Sequence, residues 1–413
     1  MGDYTYVFAL IGAIIILGFV AEWAFRRTGV PDILALMLLG FLIGPVFRVS
    51  DPTSMAAYAP IFAPIVLMIL LFDGGLQMNI KKVVYATPKA GFFGLLNVVF
   101  AMFVGAIFMK IALGWDFQMG AVLGAIVGGT SSAIVMPIVQ RIKISEETRD
   151  LLSIESIVTD VLCIVAVIAV LDVMQAKSSN LLGIILSAFS IGIMMGLVGG
   201  IIWLYLTKRF NGLSYMLTLA SIFVLYSFSE SVGGSGAISA LLFGLVLGHR
   251  EEFSKLLGDA AQKEQEKTSL KLMQTEISFF VKTFFFVYLG MLVSVGGMDR
   301  VAIGISLVLL LIAARYIATR IITIGAKPKE TAAFMATMAP RGLAAAVLAQ
   351  VPFSRGLDPG REITDLVFVV IVATVLLVSL SVFYFGRKNE KEQAPLTKLS
   401  PVYQSIRLGD KPR

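Results

Sequence analysis

Residues 151–175 read LLSIESIVTDVLCIVAVIAVLDVMQ, an apolar run that carries two carboxylates, Glu155 and Asp160. An Asp at the centre of a membrane helix costs roughly 2.5–3.5 kcal/mol on insertion scales, so each acid needs a partner or a task. Successive helical residues turn by about 100°, which puts Ser156 and Asp160, four apart, on one face. Glu155 lies about 140° from Asp160 around the same helix. The spacing predicts that Ser156 and Asp160 line a wet cavity. Glu155 is expected to face another helix that carries a fixed cation. A carboxylate with hydroxyl and carbonyl neighbours suits a desolvated Na⁺ or K⁺, because hard cations prefer oxygen ligands. Partial burial also favours the neutral, protonated form of a carboxyl group. A group that can hold a proton or a cation, but not both, is the minimal machinery for exchanging one for the other.

Other charges fall inside apolar runs: Asp73, Lys282 and Arg341. Opposite signs at membrane depth point to pairs, and Glu155 is expected to pair with Arg341. Lys282 is expected to be satisfied by Asp73 or a backbone carbonyl, with Asp160 as an alternative partner. Arg315 and Arg320 sit nearer one end of their run and are expected to snorkel.

The elements that must position these groups are membrane helices. The chain has 413 residues, 57% hydrophobic and only 15% charged, with a mean hydropathy of +0.88. That composition excludes a soluble domain. The single cysteine, Cys163, excludes an internal disulfide, and the single histidine, His249, argues against a His-based metal site. The net charge of +7 is assigned to basic loops beside apolar helices, not to nucleic-acid binding. The first apolar run, with Asp3 ahead of it and no early Lys or Arg, does not read as a signal peptide.

Apolar length and breaks predict thirteen spans, at about 6–25, 33–47, 59–78, 91–113, 118–140, 151–175, 181–206, 213–229, 234–249, 277–296, 301–323, 331–352 and 363–386. Lys and Arg concentrate in the loops after odd-numbered spans, so those loops are expected to be cytoplasmic, with the N-terminus outside. The tail, 387–413, is then cytoplasmic, as is a charged connector at 250–276. LLGFLIG at 38–44 resembles LFGLVLG at 242–248, and LFDGGLQM near 71 sits opposite VYLGMLVS near 287. Seven spans separate the copies, so the halves should face opposite ways, as in transporters with inverted repeats. The expected division is a first repeat at about 6–175, a linker helix at 181–206 and a second repeat at 213–386. The fifth span is interrupted at Gly128-Gly129-Thr130-Ser131-Ser132 and the twelfth at Pro340-Arg341-Gly342. Such breaks free carbonyls and half-helix ends at membrane depth, where they can coordinate a small ion.

Glu155-Ser156-x-x-Thr159-Asp160, Pro340-Arg341-Gly342-Leu343 and Val281-Lys282-Thr283-Phe284 with Leu289-Gly290 carry a family resemblance over about 1–386. The chain resembles the cation:proton antiporter superfamily, the NhaP-like sodium/proton exchangers most of all, with some similarity to the Kef-type potassium/proton branch. The resemblance implies an all-α membrane protein of thirteen spans, with inverted six-helix repeats and two broken, crossing helices. It implies a homodimer that exchanges Na⁺, or else Li⁺ or K⁺, for H⁺ by alternating access in the cell membrane, with no cofactor and no enzymatic residue. It makes Asp160 the ion- and proton-binding carboxylate, Ser156 and the Thr130 carbonyl ligand positions, Glu155 and Arg341 a structural pair, and Lys282 a modulating charge. The family pattern has Asn-Asp where this chain has Thr159-Asp160, and Thr-Asp where it has Thr130-Ser131. Asp73 is the expected source of the missing acidic ligand.

The same residues admit other functions. A sodium-coupled symporter and a cation channel share the architecture. Gly233-Gly234-Ser235-Gly236 fits a serine-protease pattern, but His249 ends the same short span and cannot readily reach Ser235.

Overall fold

The computed structural model describes residues 3–28, 31–47, 59–78, 88–142, 144–175, 181–209, 215–250, 252–253, 264–292, 297–323 and 329–397. Among these the regular structure is entirely helical. The helices are α1 (Asp3–Thr28), α2 (Asp32–Phe41, continued by a π-helical turn Leu42–Val46), α3 (Ala59–Gln77), α4 (Pro88–Leu113), α5 (Phe117–Ile126), α6 (Ser132–Arg141), α7 (Glu146–Gln175) and α8 (Leu181–Arg209). They continue with α9 (Tyr215–Ser231), α10 (Gly236–Gly248), α11 (Glu264–Leu292), α12 (Gly297–Ile322), α13 (Lys329–Thr337), α14 (Leu343–Leu348), α15 (Val351–Ser354) and α16 (Gly360–Thr397). Seven are long and apolar enough to cross a membrane by length and composition, and shorter apolar helices lie at Asp32–Val46, Ile61–Leu76, Phe117–Ile126, Gly236–Gly248 and Leu343–Ser354. Taking α5 with α6, and α13 with α14 and α15, as broken units, the helices fall at the thirteen positions that hydropathy marks. Residues 251 and 254–263 of connector 250–276, and the end of the tail, lie outside the described residues.

Two bodies of packing are visible. In one, α4 packs on α5, α7 and α12, and α12 packs on α16. In the other, α2 packs on α11, α3 on α10, and α10 on α8. The α2–α11 and α3–α10 contacts are the same interface built twice. A side chain on Gly40 would strike the Val287 carbonyl, and one on Gly244 would strike the Phe72 carbonyl. Gly44 meets the Met291 backbone as Gly248 meets that of Leu76, and Gly290 meets Met37 as Gly75 meets Leu241. Only a residue without Cβ lets backbones approach this closely, which is how small residues hold membrane helices together. The contacts put α2 in register with α10 at an offset of 204, the same offset as the LLGFLIG and LFGLVLG match.

Helix α7 is flanked by both broken units. It packs against α4, α5, α6 and α14, which brings Glu155 and Asp160 to the breaks.

Candidate ion-binding site

The two interrupted helices meet at their breaks. The Ser131 N–H donates to the Pro340 carbonyl at 2.8 Å. A Cβ on Gly342 would press into the Ser131 side chain, so this glycine lets the two segments touch. Arg341, 3% exposed, spans the crossing and donates from Nη1 to the Gly128 carbonyl at 3.2 Å and also to the Gly129 carbonyl. Its own N–H donates to Thr374 Oγ1 at 3.1 Å. A guanidinium on two freed carbonyls closes one broken helix with the charge of the other, since the ends of half-helices leave carbonyls without intrahelical donors.

Glu155 is fully buried, and its cation is Arg315. The pair is bidentate, Nη1 to Oε1 at 2.9 Å and Nη2 to Oε2 at 3.0 Å, the fork-to-fork geometry that gives Arg–carboxylate pairs strength and direction. The expected Glu155–Arg341 pair is therefore corrected: Arg315, expected to snorkel, is 3% exposed and turned into the protein. Arg315 also donates to the carbonyls of Met335 at 3.1 Å and Met338 at 3.2 Å, and its guanidinium lies 5.1 Å from the centre of the Phe93 ring. Glu155 accepts further from Thr130 Oγ1 at 3.1 Å and from Asn97 Nδ2 at 3.4 Å. Each oxygen of this buried carboxylate is thus satisfied, as burial of a charge requires.

Thr159, also fully buried, accepts the Thr130 N–H at 3.1 Å and donates to the Ser156 carbonyl at 3.2 Å. These contacts pin the break to α7. The Thr130 carbonyl accepts no hydrogen bond among the described residues.

Asp160 differs. It is partly exposed and forms no ion pair among the described residues. Ser132, the first residue of α6, donates to its Oδ2 twice, from Oγ at 2.6 Å and from the backbone N–H at 3.3 Å. Oδ1 accepts no hydrogen bond among the described residues. The expectation that Ser156 and Asp160 share a wet cavity is modified: Ser156 is fully buried and its hydroxyl donates to the Ser153 carbonyl at 2.9 Å. The hydroxyl on Asp160 is that of Ser132.

Lys282 is not drawn to Asp73 or Asp160. Its Nζ lies 2.7 Å from Asp32 Oδ2, with the side chains 25% and 7% exposed. Asp32 opens α2 directly after Pro31 and reads in sequence as a helix boundary, where an acid complements the helix dipole. Asp73 is half-buried in α3. Ser235 caps α10 through the Ile238 N–H at 3.4 Å, whereas His249 ends that helix, about 20 Å away along a thirteen-residue axis.

Sequence reasoning missed three partners: Arg315 for Glu155, Asp32 for Lys282 and Ser132 for Asp160. Only Ser132 left a usable signal, since the first helical residue after a break presents an unpaired N–H.

A family model described as "Sodium/hydrogen exchanger, transmembrane" matches residues 12–388. Among curated proteins, the chain is 30% identical over 239 residues to the K(+)/H(+) antiporter NhaP2 of Shewanella sp. (strain MR-4), covering 54% of this chain and 40% of that protein. The chain thus spans well under half the length of that relative. It is 25% identical over 397 residues to the probable Na(+)/H(+) antiporter 2 of Methanocaldococcus jannaschii, covering 86% of this chain and 89% of that one. Its fold matches the sodium proton antiporter MjNhaP1 from Methanocaldococcus jannaschii, at pH 8, with a TM-score of 0.75 and 21% identity over 92% of this chain and all of the other. Thirteen helical segments, two breaks that cross, and a family match over nearly the whole hydrophobic chain lead to one conclusion: the chain belongs to the sodium/hydrogen exchanger family.

Proposed function

We propose that the chain is a secondary active antiporter that exchanges a monovalent cation for H⁺, with both ions competing for Asp160. The observation that carries this reading is the contrast at the crossing. Glu155 is neutralised by Arg315, whereas Asp160 keeps one oxygen without a hydrogen bond among the described residues. The break that carries Ser132 also carries the Thr130 carbonyl, which accepts no hydrogen bond among the described residues, and hard monovalent cations favour such oxygen ligands. Ser131 in the break and Asp73, an acid beyond the immediate crossing, complete the proposed ion pathway, whereas the buried Thr159 and Ser156 hold α7 and the break in place.

The cation is Na⁺ or K⁺. The family description favours Na⁺, and the names of the NhaP2 relatives favour K⁺. Exchange is one-for-one in this reading. Asp160 with a proton and Asp160 with a monovalent cation carry the same net charge. Lys282 is held by Asp32, so it serves as a helix-to-helix tie and not as a second proton carrier. The protein works as a homodimer in the cell membrane with its N-terminus outside, by alternating access of two inverted repeats.

The test is fluorescence dequenching in proteoliposomes of the purified chain under an imposed pH gradient, with Na⁺, Li⁺ and K⁺ compared across pH. The reading expects cation-dependent collapse of the gradient that saturates and that Asp160→Asn abolishes. Conductance that does not saturate, with single-channel currents, would replace it with a channel.

A further inference from the structure

Asp160 has two oxygens, and the structure treats them differently. Oδ2 takes both the hydroxyl and the N–H of Ser132. Oδ1 takes no hydrogen bond among the described residues. A hydroxyl has one proton and two lone pairs. While Ser132 Oγ donates its proton to Oδ2, its lone pairs remain available as ligands. A donor at 2.6 Å also fixes the carboxylate plane, because Ser132 is held at the start of α6 by the break itself.

We infer that Ser132 is a ligand of the transported cation. Its two donors occupy Oδ2 and leave Oδ1 open to the ion. Its oxygen sits one hydrogen bond from the carboxylate and supplies the second contact to the ion. The inference rests on the antiport reading above and deepens it by naming the ligand chemistry. The site has one carboxylate and otherwise neutral oxygens, because Glu155 is bound by Arg315 and Ser131 and Ser132 bring hydroxyls where acids could stand. Ligand charge count tunes cation affinity. A neutral-oxygen site with a single charge does less to repay the larger dehydration cost of Na⁺, so Ser132 also keeps K⁺ admissible.

The experiment uses the full chain in proteoliposomes with three variants: Ser132→Ala, Ser132→Thr and Ser132→Asp. Ser132→Ala should raise the KM for the cation about tenfold, the effect expected for one lost polar ligand. Ser132→Thr keeps the hydroxyl and should keep the wild-type KM. Ser132→Asp adds a charge and should shift the ratio of Na⁺ to K⁺ efficiency toward Na⁺. Cation-induced thermal stabilisation of the detergent-purified proteins reads binding without turnover, and the shift should shrink in Ser132→Ala and persist in Ser132→Thr. An unchanged KM and an unchanged stabilisation in a folded Ser132→Ala protein would overturn the inference. Loss of both in Ser132→Thr as well as Ser132→Ala would overturn it too, by showing that packing and not the hydroxyl matters. Failure of the wild-type chain to exchange any cation for protons would instead overturn the antiport reading.

Discussion

Glu155 and Asp160 are the same chemistry, five residues apart on one helix, in opposite settings. Glu155 is fully buried, gripped by both arms of Arg315 and by Thr130 and Asn97. Asp160 is partly exposed, hydrogen-bonded by Ser132 alone among the described residues, with one oxygen left over. The helical repeat alone separates the two, since about 140° of rotation sends one side chain into the packed body and the other to the crossing. A satisfied buried charge holds a fold together and cannot change state cheaply. A carboxylate with an open oxygen can change state with every cycle. In the proposed exchange, one helix thereby carries both the strut and the working group.

The largest expected effect is on function. Asp160→Asn should abolish exchange while the protein still folds and inserts, because the amide keeps the size but can neither titrate nor offer a charged ligand. Transport assays beside a melting curve separate the two readouts, and loss of folding together with loss of transport would erase the contrast with Glu155.

The reverse pattern is expected at the strut. Glu155→Gln and Arg315→Gln should each cost about 3–5 kcal/mol of stability, the range for breaking one side of a buried ion pair. The double variant should lose less than the sum, as coupled neighbours do. Arg341→Gln combined with Glu155→Gln should come closer to additive, because Arg341 donates to Gly128 and Gly129 and not to Glu155. Stronger coupling of Glu155 to Arg341 than to Arg315 would contradict the pairing described above.

A milder effect belongs to the pair at the edge. Lys282→Met should lower stability by about 1 kcal/mol or less, since the ammonium is a quarter exposed and such pairs contribute little. Exchange should stay insensitive to an imposed membrane potential in wild type and variant alike. Each charge moved would add about 2.3 kcal/mol per 100 mV of driving force, so a rate that follows the potential would show that more than one proton crosses per cation. The smallest effect is expected at Asn97, whose amide reaches Glu155 only at 3.4 Å. Asn97→Leu should change stability by no more than about 1 kcal/mol, the net value of a typical hydrogen bond.

Much of this contrast was legible in the sequence. The five-residue spacing on α7 set Glu155 and Asp160 on different faces, and GGTSS and APRG marked where two helices had to break, but the four-residue spacing misled, because Ser156 is fully buried and turned to the Ser153 carbonyl. The LLGFLIG and LFGLVLG match anticipated an interface built twice, now seen in the glycine contacts of α2 with α11 and α3 with α10. What spacing cannot supply is the identity of the facing residue. Periodicity fixes a direction from the helix axis, but Arg315 and Arg341 both lie at membrane depth more than 150 positions downstream. Which one arrives depends on how α12 leans on α4, a tertiary fact. Asp32 was hidden for another reason: beside Pro31 an acid looks like a helix start, and its partner Lys282 stands 250 residues away.

The central claim is that a proton and a cation take turns on Asp160, and proton release on cation binding tests it most directly. Purified protein in weakly buffered detergent solution, titrated with Na⁺ or K⁺ at a pH where the site holds its proton, should release about one proton for each cation bound, and Asp160→Asn should release none. Cation binding without proton release in the wild-type protein, or equal release from Asp160→Asn, would contradict it.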